Sequence, residues 1–312
     1  MLQQTQVSVV RSYFDRFMAR FPDVCTLADS PVDDILAEWA GLGYYSRARN
    51  LHRAAIMVRD RHAGTIPRSF ESLLGLPGIG RSTAGAILAL AHGDRHPILD
   101  GNVKRVLCRY HGITGWPGES AVARSLWELA EAHTPARRVA AYTQAIMDFG
   151  ATLCVRSHPE CARCPLREDC IARRKGLVSD LPTPKPKRSL PLKRTVFLVV
   201  RNSKGALLLE RRPPVGIWGG LWCFAECAGD EDPALVCFER LGLRLKSKRR
   251  MPKRICTFSH FRLEITPILM ESASDSISRV DDSAERRWYA SEAFEDIGLP
   301  APIKRLIDQV MR

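Results

Sequence analysis

The chain has 312 residues, enough for two domains at roughly 100–200 residues each. Its 45% hydrophobic and 26% charged residues exclude global disorder, and the lack of any run of about 18 uncharged apolar residues excludes a membrane-spanning helix. The excess of 47 Lys and Arg over 34 Asp and Glu, +13 in all, suits a polyanionic partner, nucleic acid first, as readily as it suits a plain basic soluble protein.

The chain starts Met1-Leu-Gln-Gln-Thr-Gln-Val7, with neither the basic start nor the apolar core of a signal peptide. The expected location is therefore cytoplasmic, and ten cysteines point to metal or redox chemistry rather than disulfides. Val7, Val10, Phe14, Phe17 and Phe21 recur at three and four, which predicts an amphipathic helix closed by Pro22. Similar patterns predict helices over 33–39, 47–58, 84–91, 103–110, 120–132 and 139–150, an all-α block without a 20–50-residue repeat.

Residues 173–194 break the pattern. They hold Pro182, Pro184, Pro186 and Pro191, and eight basic side chains (Arg173, Arg174, Lys175, Lys185, Lys187, Arg188, Lys193, Arg194) against Asp180 alone. The stretch reads as a semi-extended linker able to follow phosphates. Beyond it the period becomes two. Val196-Phe-Leu-Val-Val200, a turn at Asn202-Ser-Lys-Gly205 and Ala206-Leu-Leu-Leu-Glu210 predict a β-hairpin. Further strands are predicted over 255–258 and 262–270 and a terminal helix over 301–311, which makes the second domain α+β.

Cys154, Cys161, Cys164 and Cys170 fall within one short loop. Four thiolates so close suit a tetrahedral soft-metal site or an iron–sulfur cluster, and thiolate count does not choose between zinc and iron. The other six cysteines are scattered and read as buried apolar filler. Leu76-Pro-Gly-Ile-Gly-Arg-Ser-Thr-Ala84 lies between two helical patterns. Gly78 and Gly80 permit a tight turn that leaves amides at a helix N-terminus, where a phosphate can bind; the plain alternative is an ordinary helix–helix turn. In Ile98-Leu-Asp-Gly-Asn-Val-Lys104, Asp100 precedes a helix and by itself reads as an N-cap.

The order helix–hairpin–helix, aspartate, four clustered cysteines is far more specific than any of its parts. With Met1 to Val7, Gly41-Leu-Gly-Tyr-Tyr-Ser-Arg-Ala-Arg-Asn50 and Thr257-Phe-Ser-His-Phe261, it resembles the MutY family of adenine DNA glycosylases, within the helix–hairpin–helix glycosylase superfamily. The likeness spans nearly the whole chain. It implies a mainly α glycosylase domain over 1–172 with the cluster loop at 151–172, the linker at 173–194, and a Nudix-like α+β domain over 195–312. It also implies a four-iron, four-sulfur (4Fe-4S) cluster on the four cysteines, and action as a monomer on double-stranded DNA, removing adenine mispaired with 8-oxoguanine or guanine.

By this resemblance Asp100 is the catalytic carboxylate, which stabilises a sugar of oxocarbenium character, and Asn102 is a neighbouring active-site amide. Leu2, Gln3, Gln4 and Gln144 lie near the extruded adenine or its vacated place. Tyr44 matches a wedge beside 8-oxoguanine, and the alternative is a core tyrosine. Gly78, Gly80, Ser82 and Lys104 fall to the DNA backbone. Bifunctional relatives carry a lysine where this chain has Ser82, and a hydroxyl cannot form their Schiff base, so a monofunctional enzyme is expected. Phe258, Ser259 and His260 match the loop that reads 8-oxoguanine; without the family they read as a strand end. The acidic helix with an R-E-x-x-E-E run that Nudix hydrolases use for magnesium is not found after Trp218-Gly-Gly-Leu-Trp222, so pyrophosphate hydrolysis is not expected.

By the same resemblance the family's general-acid glutamate would stand two residues before Met1; a start assigned at an internal methionine is the expected explanation, and a damaged gene is the alternative. The chain as written is expected to bind the mismatch and release little adenine. A catalytically impaired mismatch-binding protein and, behind it, an endonuclease III-like glycosylase/lyase are the competing readings.

Overall fold

The computed structural model describes residues 1–2, 5, 7–186, 189–272, 286–294 and 297–311. Gln3 and Gln4 lie outside the described residues. The first half is helical as expected. It comprises α1 (Val7–Arg20), α2 (Val24–Asp29), α3 (Val32–Glu38), α4 (Ser46–Arg61), α5 (Phe70–Leu74), α6 (Arg81–His92), α7 (Gly101–His111), α8 (Ser120–His133), α9 (Val139–Asp148) and α10 (Ile171–Arg174). Asp23, Ser69 and Asp100 cap α2, α5 and α7 by accepting backbone N–H bonds with their side chains. Of the apolar series predicted on α1, Val10, Phe17 and Phe21 enter the core while Val7 and Phe14 stay exposed. No helix among the described residues is long and apolar enough to cross a membrane.

The second half is a mixed sheet with two helices. The strands are β1 (Leu192–Arg201), β2 (Leu207–Arg211), β3 (Trp222–Cys223), β4 (Ala225–Cys227), β5 (Leu245–Arg250), β6 (Arg254–Thr257), β7 (Arg262–Ser272) and β8 (Arg286–Tyr289); α11 spans Pro233–Leu241 and α12 Ala301–Val310. The predicted hairpin forms, with Asn202 Oδ1 accepting from the amides of Lys204 and Ala206 across the turn. β1 is central and pairs in parallel with β7 from Leu192↔Arg262 to Arg201↔Glu271. Its side chains alternate between two cores: Phe197 and Val199 meet α12, whereas Val196, Leu198 and Val200 meet the side that holds α11.

Packing divides the chain otherwise than the sequence suggests. One compact unit joins residues 1–65 to residues 189–312, and the other comprises 66–188. The first is joined by chemistry: Leu221 is fully buried among Leu36, Trp39 and the other side chains of α1–α4, Asp33 is paired with Arg211 at 2.6 Å, and the Tyr45 hydroxyl donates to the Leu299 carbonyl at 3.1 Å. The expected boundary at 172 overlooks these pairings because its partners are distant in sequence. The linker also proves shorter than 173–194. Leu181 is buried with its carbonyl bonded to Arg109, and β1 has already begun at Leu192.

Candidate active site

Within residues 66–188, α5 and α6 flank the glycine turn. Gly78 has φ +83°, a left-handed conformation that favours glycine, so its predicted role in the turn holds. Gly80 differs: it is extended, with φ −98°, and caps α6 in a conformation open to any residue. The hydroxyl of Ser82, on the first turn of α6, accepts a 2.9 Å bond from the amide of Leu99. It thus holds the segment immediately before Asp100.

Asp100 Oδ1 accepts from the Val103 amide at 2.8 Å, which is the N-cap geometry read from sequence. Among the described residues Oδ2 makes no bond, so the carboxylate is fixed through one oxygen and presents the other. Asn102 Oδ1 accepts from Arg105 Nη2 at 2.7 Å, and Gly150 lies so close to Asn102 that a Cβ there would come within 2.6 Å of it. Lys104, one turn along α7, is half-buried; Gln144, on α9, is exposed and donates to Asp148 Oδ1 at 2.9 Å.

Two arginines of α7, unmarked in the sequence reading, join this site to the cysteine loop. Arg105 donates to the carbonyls of Cys154 at 2.7 Å and Gly150 at 2.6 Å. Burial draws its guanidinium below the usual arginine range, with the neighbouring Cys154 as the main opposing influence. Arg109 is only 3% exposed and donates to the carbonyls of Leu181 (2.8 Å), Val155 (2.7 Å) and Arg156 (3.1 Å), with Cys154 Sγ 3.5 Å away. The only signal in the sequence was their spacing, one and two turns beyond Asp100 on a single helix.

All four clustered cysteines line one hollow, part of it open to solvent, with Phe149, Leu153 and Leu166 as its apolar wall. Among the described residues no three His, Cys, Asp or Glu side chains gather closely enough to hold a single metal ion. The scattered cysteines divide. Burial pushes Cys108 to about 11 and Cys237 to about 12, as for inert core thiols, whereas Cys25 is exposed and Cys256 only half-buried, contrary to the expected filler role.

In the other unit, Tyr44 sits between α3 and α4 at φ +50° and is 58% exposed, which rules out a core role. Arg47 lies over its ring at 5.5 Å and donates to the Met1 carbonyl at 2.8 Å; Leu2 beside it is exposed. Gly41, at φ +98°, leaves room for Tyr13, which any side chain there would strike. Phe258 to Phe261 form the tight turn between β6 and β7, closed by Phe258 N–H to the Phe261 carbonyl at 2.9 Å. Phe258 points inward, stacked on Phe261 at 4.7 Å and tilted against Trp218 at 5.7 Å. Ser259 and His260 are exposed, with Ser259 Oγ 3.2 Å from His260 Nδ1. The turn is therefore an anchored platform with two polar side chains presented outward, not a frayed strand end. The α11 helix of this unit carries Glu239 as its single acid, so it offers no carboxylate array for magnesium.

Residues 1–132 match the family of HhH-GPD superfamily base excision DNA repair proteins, and residues 196–309 match the NUDIX domain family. An adenine DNA glycosylase of Buchnera aphidicola subsp. Acyrthosiphon pisum is 36% identical over 99% of this chain and 87% of its own length. The adenine DNA glycosylase of Homo sapiens is 31% identical over 98% of this chain and 66% of its own. Among solved structures, a thermostable thymine-DNA glycosylase superposes with a TM-score of 0.51 at 28% identity, covering 56% of this chain and 80% of that one. The fold thus pairs a helical glycosylase region with a Nudix region, and the chain belongs to the adenine DNA glycosylase family, DNA N-glycosylases of base-excision repair.

Proposed function

We propose that this protein is a monofunctional glycosylase that removes adenine opposite 8-oxoguanine or guanine, acting as a monomer in the cytoplasm on double-stranded DNA. The observation that carries the chemistry is Asp100, held by its cap bond and by Ser82 through Leu99, with Oδ2 left over. As the N-glycosidic bond lengthens, positive charge grows on the sugar, and a carboxylate fixed in advance stabilises it without having to reorganise. Asn102, its Oδ1 held by Arg105, keeps its amide N–H groups as donors two residues along from that carboxylate. Because Ser82 supplies no amine, water takes the sugar and the strand stays intact.

The cysteine loop fits a 4Fe-4S cluster. Its four thiols line one hollow with an apolar wall, a donor set and a setting that suit a cluster of soft iron and sulfur. Cys154, Cys161, Cys164 and Cys170 would hold the cluster, which when bound would cross-link the loop and add its binding energy to folding. Arg105 and Arg109 hold the Cys154 end of the loop to α7.

Reading of the opposite base is assigned to Ser259 and His260 on the Phe258 platform, with Tyr44 as the wedge; Gly78 and Lys104 face phosphate. Single-turnover reactions on duplexes with adenine opposite 8-oxoguanine, guanine or thymine test the whole. The expected order of base release is 8-oxoguanine, guanine, then thymine, with strand scission only after alkali. Scission without alkali, or equal release from all three, would overturn it.

A further inference from the structure

Residues 244–254 carry Arg244, Lys246, Lys248, Arg249, Arg250, Lys253 and Arg254 and no acidic residue. The centre of this run is β5, which among the described residues lies at the edge of the sheet and pairs with β7 alone. All of 246–250 is exposed, on both faces of the strand. Among the described residues Lys246, Arg249 and Arg250 have no ion-pair partner; Lys248 has only Asp232 at 3.6 Å, with both side chains more than half exposed, a pair that salt screens. A register shift between Leu245 and Ser247 sets Lys246 in a bulge.

The placement of this strand gives the charges a use. β5 and β6 follow one another along the outer side of β7, and β6 runs directly into the Phe258–His260 turn. From Arg250, opposite Ile268, to Thr257, opposite Arg262, β7 advances six residues, about 20 Å at ~3.4 Å each. At ~3.4 Å per base pair, that is about six base pairs from the turn.

We propose that β5 is a second DNA-binding track, in which Lys246, Arg249 and Arg250 contact backbone phosphates roughly six base pairs or more from the mispair. The distance rests on the assignment of Phe258–His260 as the reading turn; the charge does not. Protecting a free edge against strand addition takes a lysine or two, not five basic residues in a run of seven. An acidic peptide added as a strand would need side-chain pockets that this two-sided exposed strand does not offer.

The test is equilibrium binding of the full chain and of the triple variant K246Q/R249Q/R250Q to duplexes with flanks of increasing length around an adenine:8-oxoguanine pair, over a range of salt. Removing one basic side chain from a phosphate lowers the slope of log affinity against log salt by about 0.9. The variant is expected to lose about 2–3 from that slope, on the order of 10²-fold in affinity at low salt, and to bind no more tightly as flanks grow beyond about six base pairs. Its unfolding midpoint and its preference for 8-oxoguanine over guanine should not change. An unchanged slope and unchanged dependence on flank length would overturn the track. If the unsubstituted chain shows no preference for 8-oxoguanine, it is the reading turn that fails, and the slope still decides the role of β5.

Discussion

The surroundings of Asp100 and the turn at Ser259 and His260 solve opposite problems. Around Asp100 each neighbour is fixed from within: Ser82 grips Leu99, Arg105 grips Asn102, and Arg109 is sunk in carbonyls. At the turn the fixed part is aromatic and lies underneath, while the polar groups stand in solvent. Breaking a bond requires a charge whose position does not relax, whereas reading a base requires donors and acceptors that are free until the base arrives. Substitutions at the first should therefore cost rate or stability, and at the second only preference.

The sharpest contrast is expected from Asp100→Asn. Asparagine caps helices as well as aspartate does, so the fold and duplex affinity should persist while single-turnover adenine release, expected to be low in this chain already, falls further by more than tenfold. Release within tenfold of the unsubstituted chain would reduce Asp100 to a cap. Arg109→Met should act on stability instead. It strips the carbonyls of Leu181, Val155 and Arg156 of a buried charged donor, at roughly 3–5 kcal/mol, and denaturant unfolding should show this together with loss of bound iron. On the other side, Ser259→Ala with His260→Ala should narrow the preference for 8-oxoguanine over guanine by about 1–3 kcal/mol and leave the unfolding midpoint alone. Competition binding on the two duplexes would reveal an unchanged preference, and with it a merely structural turn.

Smaller effects sharpen the same division. Ser82→Ala removes one hydrogen bond, worth about 1 kcal/mol; a loss in base release larger than the loss in stability would show that the Leu99 tether serves the position of Asp100. The pH dependence should come partly from His111, whose Nε2 lies 2.7 Å from that of His133. Burial first, and His133 second, hold its pKa below the usual histidine value. A histidine depressed in the folded state contributes stability above its unfolded value near ~6.5 and loses it as pH falls through the lower folded value. Thermal midpoints between about pH 7.5 and 5.5 should therefore fall, and His111→Asn should flatten that limb.

Sequence patterns revealed the long helices, the hairpin, the capping aspartate and the cysteine loop, since each is written in adjacent residues. They missed α2 and α5, which at six and five residues are too short for a helical period to show. They missed β5, where Leu245-Lys-Ser-Lys-Arg-Arg250 has no buried face to impose alternation. Arg105 and Arg109 were lost among the basic residues of a basic chain, because burial, not identity, sets them apart. The partnership of Leu221 with Leu36 and Trp39 spans more than half the chain and leaves no local trace.

That partnership also bears on how the molecule is made. Residues 66–188 form a self-contained unit, and a stretch of that kind can close while the ribosome is still at work. The helices of residues 1–65 emerge earlier yet wait longer, because Leu221 and the Leu299 carbonyl are synthesised more than 150 residues after Tyr45. Contacts so remote in sequence form late. For that interval the part of the α1–α4 core that Leu221 closes stays open, and the nascent chain is a client for chaperones through its earliest helices rather than its latest strands.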